Sequence, residues 1–117
     1  MRLIADHKYT KVHAHDERTE GNANHHYEIS QAMEGEPKFP PCIVGFQHGP
    51  IGEKGVNGVT NEDLLAIVID RLYGFQAGKF KCRENAIALT KLEETQMWLY
   101  RRTALREKRG VEGTNKV

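Results

Sequence analysis

The sequence predicts an α+β protein: a small N-terminal antiparallel β-sheet followed by a long two-helix antiparallel α-hairpin that multimerises through its helices. Three observations carry this. Short β-rich runs, bounded by prolines and glycines, fall between residues 25 and 59. Two long stretches of apolar residues at helical spacing fall between 60 and 109. Too few residues join those stretches for the helices to do anything but fold back on each other. At 117 residues, 38% hydrophobic and 28% charged, the chain is expected to be one domain with a modest core. It reads as a polar arm (1–24), a β-region (25–59), the hairpin (60–109) and a tail (110–117).

The strand signals come first. His25 to Ile29 alternates polar and apolar, and Cys42-Ile43-Val44-Gly45-Phe46 is β-rich and follows Pro40-Pro41. The intervening GEPKFPP is a connection, because proline donates no ladder hydrogen bond. Beyond Phe46, Gly49, Gly52, Gly55 and Gly58 punctuate a turn-rich stretch, with Asn57-Gly58 suited to a type I′ hairpin turn between Val56 and Val59. Residues 1–24 show no apolar periodicity and read as loop, or as an arm ordered only in an assembly.

The helices are signalled at both ends. Thr60-Asn61-Glu62-Asp63 reads as an N-cap with acidic residues in the first turn. Leu64, Leu65, Ile67, Val68, Ile69, Leu72 and Phe75 follow, and Gly78 closes this helix. The second starts near Arg83-Glu84 and runs to Arg109, with Gly110 as its C′ residue. Helices of about 17 and 27 residues span roughly 25 and 40 Å, so the second overhangs the first. The first is apolar around more than half its girth, which one neighbouring helix cannot cover. Both facts point to self-association.

Charge and cysteine content narrow the function classes. A net charge of +1 argues against a non-specific binder of duplex nucleic acid. The start of the chain has no apolar run of signal-peptide length, and no stretch approaches the roughly 20 apolar residues of a membrane span. Cys42 and Cys82 are far apart and read as reduced thiols of a cytosolic protein. Six histidines are present, but neither HExxH nor a cysteine-rich spacing accompanies them, so no metal and no cofactor are expected. The GFQHGPIGEKGVNG stretch lacks the GK[ST] ending of a Walker A loop. No nucleophile-and-base signature is present, which argues against an enzyme.

The sharpest local signal is the end of the second helix. Arg101, Arg102, Arg106, Lys108 and Arg109 are opposed there only by Glu107. Cations suit a helix C-terminus, and planar guanidinium groups also grip pyrophosphate through paired N–H donors. A concentrated cationic end in a nearly neutral protein points to a compact anionic ligand.

The run RENAIALTKLEETQMWL, residues 83–99, together with GVNGVTNEDLLAIVIDRLYGFQAG before it, resembles the hairpin of the phage anti-Thoeris sponge family, the first type of Thoeris anti-defence protein. That family is related to the anti-CBASS cyclic-nucleotide sponges. The resemblance covers about residues 41–117. It implies a multimeric, non-enzymatic protein of the infected bacterial host's cytoplasm that binds and withholds cyclic ADP-ribose isomers. Cyclic di- or trinucleotides at separate sites are part of what it implies, as is a homo-oligomer from dimer to hexamer. Carried over residue by residue, the ligand-binding positions are Phe75, to stack on adenine, Asn85, to hydrogen-bond base or ribose, and Arg102, to fork onto pyrophosphate. Arg83 and Arg106 are secondary candidates for a cyclic-oligonucleotide site. An upstream arginine of the family has no match, since residues 40–59 contain none; His48 or Lys54 is the candidate substitute. Two rivals remain: an enzyme that degrades the same signals, and a small phage regulator that binds nucleic acid.

Overall fold

The computed structural model describes residues 1–117, the side chain of Glu20 excepted. The chain divides into two compact units, residues 1–59 and 60–117, each taken by itself below.

The first unit is a four-stranded antiparallel meander with strands in sequence order: β1 (Arg2–Asp6), β2 (Thr10–Ala14), β3 (His26–Gln31) and β4 (Cys42–Gly45). Half of this sheet comes from the stretch expected to be an irregular polar arm. The correction has a physical cause. β1 and β2 are joined by a three-residue connection closed by the His7 N–H to the Thr10 carbonyl (2.9 Å), and β1 carries a bulge between Leu3 and Ala5 that breaks its alternation. Register puts Val12 opposite Ile29 and Ala14 opposite Tyr27, which in turn faces Val44. One face is therefore apolar, around the fully covered Ala14. The other carries His13 and Glu28 in register, with His15 bonded to Glu28 at 2.9 Å.

A knot of polar groups closes the connection between β2 and β3. The Asp16 carboxylate accepts the main-chain N–H of His25 (2.9 Å) and of His26 (3.1 Å). Buried Asn24 donates to the Asp16 carbonyl and accepts from Arg2 at 2.6 Å, so the same knot reaches β1.

The glycine-rich stretch after β4 departs from the expected hairpin. Its only regular element is a single helical turn, α1 (Ile51–Lys54). Neither Asn57 nor Gly58 has the positive φ that a type I′ turn needs. The Asn57 side chain instead bonds both main-chain groups of His48 at 2.8 Å. Gln47 mirrors it, bonding the Gly49 and Gly55 carbonyls and the Asn57 N–H. Val59 thereby bridges Phe46 in parallel. Gly58 lies so close to the Phe46 and Gln47 main chain that a Cβ would collide with it.

The second unit is the expected helical hairpin, α2 (Asn61–Gln76) and α3 (Arg83–Lys108). The capping box forms in full: Thr60 Oγ1 accepts the Asp63 N–H and Asp63 Oδ2 accepts the Thr60 N–H (2.8 Å). Ile69 of α2 and Leu89 of α3 are its buried helical residues. Tyr73 donates to Glu93 at 2.5 Å and pins the helices together. Gly110, with φ of +72°, ends α3 in a Schellman turn, in which the Val111 N–H returns to the Arg106 carbonyl and the Gly110 N–H to Glu107.

Desolvation would raise the pKa of Asp16, but the His25 and His26 amides and the Asn24 side chain outweigh it and bring the group from 3.8 down to about 2. Since the folded value lies below the unfolded one, the ionised carboxylate stabilises the sheet fully above about pH 4, and this contribution is lost as pH falls through about 2. Thermal unfolding of the protein and of Asp16→Asn should therefore differ by a constant margin at neutral pH, and that margin should shrink steadily toward pH 2. A margin that does not change with pH would contradict this role of Asp16.

Candidate functional site

Two places on the helical unit collect Phe75, Asn85, Arg83, Arg102 and Arg106, one at each end of α3. The first is the bend. Gln76, the last residue of α2, uses both ends of its side-chain amide on one residue across the turn. Its Nε2 donates to the Cys82 carbonyl and its Oε1 accepts the Cys82 N–H, each at 3.0 Å. Cys82 then caps α3, its Sγ accepting the Asn85 N–H at 3.4 Å. Phe75 sits just before this closure, half-buried, edge-on to Phe80 with ring centroids 6.3 Å apart. The Arg71 guanidinium lies 5.0 Å from the Phe75 ring. Asn85 is half-buried in the first turn of α3, and Arg83 is exposed as its first residue. The bend thus gathers an aromatic face, an amide side chain and a helix N-terminus.

At the other end lies a groove of about 430 Å³, lined by Trp98, Arg101, Arg102, Leu105, Arg106, Arg109 and Val117. The helical residues among these follow one another at i, i+3, i+4, i+7, i+8 and i+11, which is a single stripe of an α-helix. The arginines are not equivalent. Arg101 and Arg102 are exposed and, among the described residues, make no hydrogen bond or ion pair. Arg106 is engaged by Glu112 and by main-chain oxygens of Val111, Thr114 and Lys116. Arg109 bonds the main-chain oxygen of Val117 at 2.5 Å. Trp98, 58% exposed, adds an open aromatic face beside the two free guanidinium groups.

A single chain does not bring the three principal candidates together. Asn85 and Arg102 are 17 residues apart on one continuous helix, a separation of about 25 Å. Phe75 and Asn85 share the bend; Arg102 belongs to the distant groove. His48 and Lys54 fall in the first unit. The His48 ring stacks on His25 with centroids 4.3 Å apart and meets Thr19 Oγ1 at 3.2 Å, and Lys54 packs its side chain over Gly49. Among the described residues no group of three histidine, cysteine or acidic side chains is placed to hold a metal ion. Among the same residues no helix is long and apolar enough to cross a membrane.

Sequence reasoning left two features of these sites unread. Trp98 shares a face of α3 with the arginines, and its spacing to residues 101, 102 and 105 was the available signal. The bracing role of Gln76 had none, because a glutamine at a helix end is ordinary.

The family model of the Acb2/Tad1 hairpin domain matches residues 41–104 of this chain; the chain belongs to that family. It is similar to a protein named Thoeris anti-defense 1 of Bacillus phage SBSphiJ7, with 64% identity over 74 residues. The matched stretch is 63% of this chain and 52% of that protein, so the chain spans about half the length of the relative.

The reciprocal Gln76–Cys82 bonds generate a stability prediction. Gln76→Ala removes two hydrogen bonds of about 0.5–1.5 kcal/mol each. Urea unfolding should show a loss of about 1–3 kcal/mol, and Gln76→Glu should also lose stability because it cannot donate to the Cys82 carbonyl. A neutral Gln76→Ala would mean that the bend is held by something else.

Proposed function

We propose that this chain is a phage anti-defence protein that captures a cyclic ADP-ribose isomer, glycocyclic ADP-ribose, and holds it unaltered. It acts in the cytoplasm of the infected bacterial host, where withholding the signal blocks Thoeris defence. The observation that carries the reading is the pairing of an aromatic–amide cluster at the bend with unpaired arginines at the far end of the same helix. Membership of the hairpin family and the name of the phage relative support it.

In this reading Phe75 stacks on the adenine, Asn85 bonds base or ribose, and Arg102 forks onto the pyrophosphate. The separation of about 25 Å along α3 requires that Arg102 come from a second subunit. The protein is therefore a homo-oligomer assembled through its helices, two subunits at least and up to six. Apolar side chains left open on the hairpin are consistent with this: Ile67 is 64% exposed and Met97 58%. Covering each fully in an interface contributes about 1.5–3 kcal/mol. Cyclic di- or trinucleotides are a second ligand class at separate sites, with Arg83 the foremost contact. His48 or Lys54 takes the part of the family's upstream arginine.

Catalysis has no role here. A sequestering protein works by stoichiometry, so its affinity must lie well below the signal's concentration, near −12 kcal/mol for a Kd of about 1 nM.

Calorimetric titration with glycocyclic ADP-ribose tests the proposal. The protein should bind tightly, Arg102→Ala and Phe75→Ala should each weaken binding by at least about tenfold, and heating the complex should return intact ligand. A shared pocket makes a further demand: co-refolding the two variants should restore a fraction of full-affinity sites, because some interfaces then receive Phe75 from one chain and Arg102 from another. Tight binding with no such rescue would place the whole pocket within one chain. A cleaved product would identify an enzyme, and absence of any heat would remove the cyclic ADP-ribose assignment.

A further inference from the structure

Residues 110–117 contain neither helix nor strand, yet their main chain is held at several points. Gly110 reverses the chain with φ of +72°, and Val111 is buried against the end of α3. Thr114 Oγ1 accepts the Lys116 N–H at 3.2 Å and donates back to the Val111 carbonyl. The centre of this turn is the Arg106 guanidinium. Its Nε donates to Glu112 Oε2 at 3.2 Å, its Nη1 to the Lys116 carbonyl at 2.7 Å, and its Nη2 to the carbonyls of Val111 (3.0 Å) and Thr114 (3.1 Å).

A guanidinium has five N–H donors, and four of those of Arg106 are taken by one turn of chain. Its side chain is only 13% exposed and its charge is met by Glu112. Arg101 and Arg102, on the same stripe, have no such partners among the described residues. Val117 reaches the groove lining only because the chain is turned back after Gly110, tied at Lys116 by Arg106, and tied at Val117 by Arg109.

We propose that Arg106 is a positioning residue rather than a ligand contact: it clasps residues 110–117 so that Val117 walls the groove beside Arg101 and Arg102, where a compact anion such as pyrophosphate binds. The inference rests on reading the groove as the phosphate-facing part of the nucleotide site. The clasp can be tested without that reading. Trp98 is the sole tryptophan of the chain and lines the same groove, so its emission reports on the wall when no ligand is present.

Two variants loosen the wall by independent routes. Arg106→Gln removes the clasp. Gly110→Val leaves Arg106 in place but disfavours the positive φ of the reversal, in a position where nothing lies within 4 Å of the new Cβ. Both should shift Trp98 emission to the red and raise its iodide-quenching constant, with far-UV circular dichroism unchanged. Both should also weaken binding of inorganic pyrophosphate, the probe for the groove, on the order of tenfold. If Arg106→Gln abolishes pyrophosphate binding while Gly110→Val matches the parent protein in binding and emission, Arg106 is itself an anion contact and the proposal fails. Unchanged emission and quenching in both variants would also overturn it. If the parent protein binds no pyrophosphate, the compact-anion part of the proposal fails with the nucleotide reading, and the Trp98 response still decides whether Arg106 holds the wall.

Discussion

The bend between α2 and α3 governs the rest of the helical unit, and polar bonds close it beside the edge-on contact of Phe75 and Phe80. A glutamine amide presents a donor and an acceptor side by side, the same pair that a residue presents in a β-ladder. Gln76 uses it to bond both main-chain groups of Cys82, and Cys82 in turn caps the next helix. With α3 started at a fixed point, its pitch decides where every later residue falls. Tyr73 then meets Glu93, a second polar tie further along the hairpin. The hydrogen bond to Glu93 raises the pKa of the Tyr73 phenol, as expected where the phenol donates to a carboxylate. α3 also outruns α2 by ten residues (26 against 16), about 15 Å of helix. That surplus carries the groove.

Within the groove, one residue type serves two purposes. Carbonyl groups at the end of a helix lack intrahelical partners and carry partial negative charge, so cations gather there for reasons unrelated to ligands. Arg106 and Arg109 instead bind main-chain oxygens of the chain beyond the helix, in residues 111–117. Arg101 and Arg102 stand at least a full turn before the helix end and have no such oxygens to meet. Their charge therefore faces the open groove beside Trp98, and four arginines that look alike in the sequence separate into a bracing pair and a free pair.

How much of this could be read from the sequence depended on the distance over which each feature is specified. Helix ends are local, and Thr60, Gly78 and Gly110 marked them to within a residue or two. β3 and β4 were legible because their own composition is β-rich. β1 and β2 were not, because they are short and polar, their pairing is cross-strand, and the bulge at Ile4 breaks the one periodicity that would have betrayed them. Asn57-Gly58 misled for a related reason: the dipeptide suits a turn, but the Asn57 side chain found the His48 main chain first. At the candidate site, the resemblance to the hairpin family supplied Phe75, Asn85 and Arg102, and the helical rise supplied the distance between the last two. The engagement of Arg106 was invisible, since it depends on a chain reversal that brings four residues of irregular structure onto one guanidinium.

The polar ties across the hairpin also bear on how such a protein can diversify. A helical pair aligned only by interlocking apolar side chains slips or loosens when those side chains change, which makes its outer surface evolutionarily stiff. Here the alignment is specified by a glutamine, a tyrosine and a glutamate, with few buried apolar residues involved. Most of the apolar and charged positions on the outward faces are therefore released from the task of keeping the helices in step. Those with no other contact to make are free to vary, while the frame that presents them stays the same.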